Sequence, residues 1–116
     1  MDTAVAQQHW NAYMDAFGAA AGDERMRLLE SCVADDVVFT NPAGEGRSRA
    51  GLNEHIERFR QGNPGAYFRT EQLYAQADKL LARWTMHRPD GTPVATGYNF
   101  VRYDEDGRFG YLAGFF

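Results

Sequence analysis

The feature that most restricts the fold of this chain is a change in its hydrophobic period. Trp10, Tyr13, Met14 and Phe17 fall at i, i+3, i+4 and i+7, and Leu52, His55, Ile56 and Phe59 repeat that spacing. Both sets put apolar groups on one face of a helix. In "KLLARWTMHR", residues 79–88, the period drops to two. Leu80, Ala82, Trp84 and Met86 alternate with Leu81, Arg83, Thr85 and His87, the pattern of a half-buried strand. A chain that carries its helical block first and its strand block second is predicted to be α+β.

Turn chemistry divides the two blocks into elements. The first helix is predicted over residues 3–20, with Gly18 and Gly22 marking its end. Asp23 is placed as the N-cap of a second, shorter helix carrying Met26, Leu29 and Val33, and Ser48 as the cap of a third. "GNPG" at 62–65 stops that third helix, because proline cannot continue it. Between the second and third, Val37, Val38 and Phe39 read as a short strand that ends in a turn at 40–44. Asp-Gly pairs in "RPDGTP" and "DEDGR" read as hairpin connections. With "AYFRTEQLY" before and "RFGYLAGFF" after, they make four consecutive strands. Gly97, Gly110 and Gly114 fall inside these strands and predict bends. The expected architecture is a single domain, 1–116, with three N-terminal helices packed in the concave face of a bent, mostly antiparallel sheet. Such a cone encloses an internal pocket.

Composition narrows the function. A net charge of −4 argues against non-specific nucleic-acid binding, and Arg58, Arg60 and Arg69 read as a solvated face. No apolar run approaches the roughly 18 residues of a membrane helix, and "MDTAVAQQHW" has no leader-like apolar core. A soluble, cytoplasmic protein is the expectation. Cys32 is the only cysteine, which precludes an internal disulfide, and its apolar neighbours suit a small buried hydrophobe. No His or Cys pair has metal-ligand spacing, Ser31 and Ser48 lie at a helix end and a cap, and no phosphate loop follows a strand. No metal and no cofactor are expected.

The candidate site residues are polar positions among aromatics, which make up 14% of the chain. Asn41 precedes Pro42, so it is a turn-former, a pocket hydrogen-bonder, or both. Asn99 lies mid-strand, where amides are disfavoured. It is either a donor to a ligand carbonyl or a core amide satisfied by Tyr13 or by backbone. His55, on an apolar helix face, is a hydrogen-bonded core residue or the best placed imidazole for proton transfer. His9 and His87 read as surface residues. Trp10, Tyr13, Met14, Phe17, Phe39, Phe59, Trp84, Leu112 and Phe116 either fill the core or line a cavity.

Several quoted stretches resemble the nuclear transport factor 2-like superfamily, and in particular its SnoaL-like and ketosteroid-isomerase-like branch. These are "WNAYMDAF" on the first helix, "ADDVVFTNP" at the first strand, "GLNEHIERF" opening the third helix and "GYNFVRYDEDGRFGYLAGFF" on the last strands. The resemblance spans nearly the whole chain and implies a cystatin-like cone fold. In the isomerase branch the residue before the proline is typically an aspartate base. A second acid stands five residues before the acid opening the last turn, and a tyrosine on the first helix completes the oxyanion hole. Carried onto this chain, those positions are Asn41, Asn99 and Tyr13. Both acids therefore read as amides, and an amide cannot serve as a general base.

The resulting expectation is a SnoaL-like protein that binds a small, largely apolar molecule bearing a carbonyl or hydroxyl. Tyr13, Asn41, Asn99 and His55 are the candidate catalytic set for an isomerase, cyclase or dehydratase type of proton transfer. The rival is a non-catalytic association domain, a homodimer through the outer sheet face at Leu73, Leu81, Thr85 and Tyr98. Neither nucleic acid nor membrane is expected as a partner.

Overall fold

The computed structural model describes residues 2–18 and 22–116. Its first helix, α1 (Thr3–Phe17), starts at Asp2, whose carboxylate accepts the Ala4 amide hydrogen at 2.8 Å. That bond satisfies one of the amides that every helix start leaves open. Gly18 caps the other end, and positions 19–20 of the predicted helix lie outside the described residues. The buried face is Ala6, Trp10, Tyr13 and Ala16, with Met14 and Phe17 half-buried at its edge.

Helix α2 (Gly22–Cys32) holds Asp23 in its first turn instead of at the cap. The charge there still complements the helix dipole. Val33, predicted on this helix, begins β1 (Val33–Asn41) instead. Strand β1 is longer than the three apolar residues suggest. It pairs with a strand the sequence does not reveal, β2 (Gly44–Arg47). "GEGR" has little β-propensity, but Asn41 pairs with Gly44, so Pro42 and Ala43 form a two-residue hairpin loop. Phe39 explains the glycine at 46. A Cβ there would come within 2.2 Å of the Phe39 ring, so only glycine lets the ring lie across β2.

Helix α3 (Arg49–Gly62) is capped as predicted, with the Gly51 amide donating to Ser48 Oγ at 3.0 Å. It buries Leu52 and Ile56. Arg25 of α2 is 3% exposed and reaches Glu57 of α3 at 2.8 Å, tying the two helices together.

The four remaining strands are β3 (Tyr67–Gln76), β4 (Lys79–His87), β5 (Pro93–Tyr103) and β6 (Phe109–Phe115). With the first two they form one six-stranded sheet in the order β2-β1-β6-β5-β4-β3. The β1–β6 pair is parallel and the other pairs are antiparallel. The chain is thus α+β, with three helices on an open mixed sheet. The alternation in β4 holds, since Leu80, Ala82 and Trp84 are buried.

One inward row runs Gly46–Phe39–Leu112–Val101–Leu80–Ala75 across all six strands. Register shifts that leave extra residues on β1, β3, β5 and β6 bend the sheet, because an extra residue on one strand increases local twist. The shift between Thr70 and Gln72 also reverses the face of Leu73. Leu73 pairs with buried Ala82 and packs on the core, so it does not belong to the outer face. Among the described residues no helix is long and apolar enough to cross a membrane.

Candidate functional site

Helices α1 and α3 stand over the concave side of the sheet and leave a cavity of about 330 Å³. It exists because the sheet floor is made of small residues at one end. Ala95 and Gly114 line it, and glycine at 97 leaves room for the Trp84 ring, which a Cβ would approach to 2.5 Å. The walls are Met14, Phe17, Phe39, Phe59, Phe68, Trp84, Met86, Leu112 and Phe116. Tyr13, Asn41, His55 and Asn99 are the polar positions that the sequence proposes, and all four line this one cavity.

Trp10 is the exception among the aromatics. It is fully buried, and its indole N–H donates to Thr70 Oγ1 at 2.8 Å, fastening α1 to β3 outside the cavity. Phe68, Thr40, Asn63 and Met86 also line the cavity without having been singled out from sequence. The period-two pattern was the available signal for Phe68 and Met86, which pair in register on the same face.

The parallel β1–β6 register, Thr40 beside Ala113, brings Asn41 close to Gly114, and Asn99 pairs with Gly114 from the other side. A Cβ on Gly114 would lie 3.6 Å from Asn41 Cβ and 3.7 Å from Asn99 Oδ1. The two amides thus flank one glycine across three strands.

Each amide is oriented by a partner that can only donate. The Ala43 backbone N–H donates to Asn41 Oδ1 at 2.8 Å, which leaves Asn41 Nδ2 facing His55 Nε2 at 3.4 Å. An amide nitrogen only donates, so Nε2 presents its lone pair and the ring proton sits on Nδ1. The Trp84 indole N–H donates to Asn99 Oδ1 at 2.9 Å, so Asn99 is not satisfied by Tyr13 or by backbone.

Burial, and then the Arg58 guanidinium, hold the His55 pKa below its ordinary 6.5. The ring is therefore neutral near pH 7, and its Nε2 lone pair is engaged only by the long 3.4 Å contact to Asn41 Nδ2. Its faces are covered by Phe39, 5.6 Å between centroids, and edge-on by Phe17 at 6.4 Å. Burial pushes the Tyr13 phenol well above its usual value, with a smaller contribution from Cys32, so its hydroxyl keeps its proton. That hydroxyl has no hydrogen-bond partner among the described residues. Its ring is held by Trp10 and Phe17, each 5.3 Å away.

Two histidines depart from their sequence placement. His9 is half-buried and bonds through Nδ1 to the Tyr103 hydroxyl at 2.7 Å. His87 is also half-buried, stacked on Tyr67 at 5.0 Å and 10°. Neither lines the cavity. Cys32 is buried, and burial raises its thiol to about 12, so it is inert as a nucleophile. Among the described residues no group of three or more His, Cys, Asp or Glu is placed to hold a metal ion.

Residues 10–110 match the family model of the SnoaL-like domain. No curated protein matches the chain. Solved structures similar to it include a SnoaL-like family protein of Agrobacterium tumefaciens, provisionally assigned as an isomerase. It is 24% identical over 94% of each chain, with a TM-score of 0.88. A provisionally assigned polyketide cyclase of Sinorhizobium meliloti is 18% identical over 92% of this chain and 93% of its own, with a TM-score of 0.74. A SnoaL-like protein of unknown function from Burkholderia thailandensis is 16% identical over 98% and 96%, with a TM-score of 0.78. At these identities the likeness speaks for the fold.

Proposed function

The chain belongs to the SnoaL-like domain family, and on that premise we propose that it binds a small, largely apolar molecule bearing a carbonyl or hydroxyl group. The observation that carries this reading is the 330 Å³ aromatic cavity beside Asn99, whose lining also includes the polar side chains of Tyr13, Asn41 and His55. A concave, mainly apolar space with a few polar groups is what a small-molecule site needs. In the proton-transfer chemistry we propose for this site, the Tyr13 hydroxyl and the Asn99 amide donate to a carbonyl oxygen and stabilise charge developing there. The lone pair of neutral His55, or a water held by it, takes the proton from the adjacent carbon. That assignment suits an isomerase, cyclase or dehydratase step. The provisional isomerase and cyclase assignments of the Agrobacterium and Sinorhizobium proteins are compatible with it.

Trp84 lines the cavity and Trp10 does not, which makes indole fluorescence a local reporter. Titration with steroid-, polyketide- and terpenoid-like ketones is expected to give a saturable change in emission. The change should survive Trp10→Phe and vanish in Trp84→Phe. A protein whose emission stays constant with every class would refute the reading.

A second reading is supported by the outer face of the sheet. Tyr74, Leu81 and Phe100 pair in register across three strands, beside the Tyr98–Phe115 pair. Tyr74, Leu81, Tyr98 and Phe115 are exposed. We propose a homodimer through this face, since such a contiguous apolar patch commonly has a partner. Sedimentation velocity at rising concentration should show the mass doubling in the wild type and not in Leu81→Glu. A wild type that stays monomeric at about 100 μM would exclude an affinity stronger than weak and transient.

A further inference from the structure

We infer that Asn63 is a second polar anchor of the cavity, whose side-chain oxygen accepts a hydrogen bond from a hydroxyl at the end of the ligand remote from its carbonyl. This rests on the proposed small-molecule function and deepens it. The ligand class becomes an elongated hydroxy ketone, with its two oxygens at opposite ends of an apolar body.

Asn63 ends α3 and lines the cavity. Its φ of −136° is open to any residue, so the position does not call for the left-handed tolerance that often places asparagine after a helix. The helix end does not depend on its side chain either. The Phe59 carbonyl already accepts the Asn63 backbone N–H at 2.9 Å, and Asn63 Nδ2 adds a second bond to that same oxygen at 3.1 Å. A carbonyl only accepts, so the side-chain atom that meets it is the nitrogen. This bond fixes the amide with Nδ2 on the helix and Oδ1 turned from it. Oδ1 has no partner among the described residues.

His55, Phe59 and Asn63 fall at i, i+4 and i+8 on one face of α3, and all three line the cavity. Two turns separate His55 from Asn63, about 12 Å along the helix axis. His55 stands 3.4 Å from Asn41, which flanks Gly114 together with Asn99. The stretch between the two ends is apolar, since the Phe59 ring packs 5.8 Å from Phe17 and 5.4 Å from Phe68. Polar groups therefore stand at both ends of an aromatic trough. A molecule long enough to cover Asn63 strips water from Oδ1. If it brings no donor there, the unmet acceptor corresponds to about 10-fold in affinity. A hydroxyl at that end supplies the missing hydrogen.

The test is calorimetric binding of 6-hydroxy-1-tetralone and of 6-methyl-1-tetralone, at a pH that keeps the phenol protonated. The two compounds have nearly the same shape, and only the first carries a donor across the ring system from its carbonyl. Selectivity for hydroxyl over methyl is expected to fall about 10-fold from the wild type to Asn63→Leu. The methyl compound should bind both proteins alike, which also reports an intact cavity in the variant. Asn63→Asp keeps an acceptor oxygen and loses the nitrogen that bonds the Phe59 carbonyl, so it should retain the selectivity of the wild type. A purely structural role for Asn63 would weaken both compounds together in both variants.

Unchanged selectivity in Asn63→Leu overturns the inference while leaving the small-molecule function standing. So does a selectivity lost equally in Asn63→Asp. Failure of both compounds to bind the wild type overturns the proposed function and this inference with it.

Discussion

Replacing Trp10 with alanine is expected to remove about 3–5 kcal/mol of folding stability. The indole is fully buried, packs on Tyr13 at 5.3 Å and bonds to Thr70 on β3. Its loss opens a cavity at the contact between α1 and the sheet and leaves the Thr70 hydroxyl without its partner. Natural domains are stable by about 5–15 kcal/mol, so the variant should lie near its unfolding threshold. Each kcal/mol corresponds to about 4 °C in a domain of this size. A drop of roughly 12–20 °C in Tm is therefore expected, read by circular dichroism during heating or by urea titration. Trp10→Phe keeps most of the packing and loses the hydrogen bond, so it should fall by a smaller amount, about 1–2 kcal/mol. A loss of under about 1 kcal/mol in Trp10→Ala would contradict the placement of this indole in the core.

The double substitution Asn41→Asp with Asn99→Asp is expected to raise the rate of ketone isomerisation above that of the wild type. The resemblance puts a general base at position 41 and a carboxylic acid at position 99, and the cavity brings both beside Gly114. At position 41 one carboxylate oxygen would keep the Ala43 amide, and the other would replace the nitrogen that faces His55. This arrangement supplies the proton affinity an amide lacks. At position 99 the apolar lining and the nearby carboxylate favour the protonated acid, which can donate to the ligand oxygen beside Tyr13. General acid–base participation is worth about 10²–10⁴ in rate, and that is the gain expected with a β,γ-unsaturated ketone. The conjugated product is followed by its ultraviolet absorbance. No gain in a folded double variant would reject the correspondence between these two amides and the two acids.

Much of the framework was legible because periodicity reports burial directly. The buried rows of β4 and the apolar faces of α1 and α3 follow from spacing alone. The caps at Asp2 and Ser48 and the Asp-Gly hairpins follow from local backbone chemistry, although the spacing names only Ser48 in advance. Strand β2 was not legible. Its glycines look like loop, yet Gly46 is required by the Phe39 ring lying over it and Gly44 by its φ of +136°. Leu73 was misplaced because one extra residue near Thr70 inverts every side chain beyond it. His9 found the Tyr103 hydroxyl far along the chain, a partner that no local pattern discloses.

The candidate site divides along the same line. The family resemblance nominated Tyr13, Asn41 and Asn99, and the apolar spacing of the third helix nominated His55. Trp10 was nominated on the same grounds and belongs elsewhere, because helical spacing does not say which edge of a buried face meets the cavity. The sequence by itself determined the α+β order, the apolar faces and the amides at positions 41 and 99. Only the tertiary structure decided that Asn41 and Asn99 meet across Gly114, and which atom of each amide is already taken. That second decision depends on donors supplied by Ala43 and Trp84, because the orientation of an amide is fixed by its partners and not by its identity.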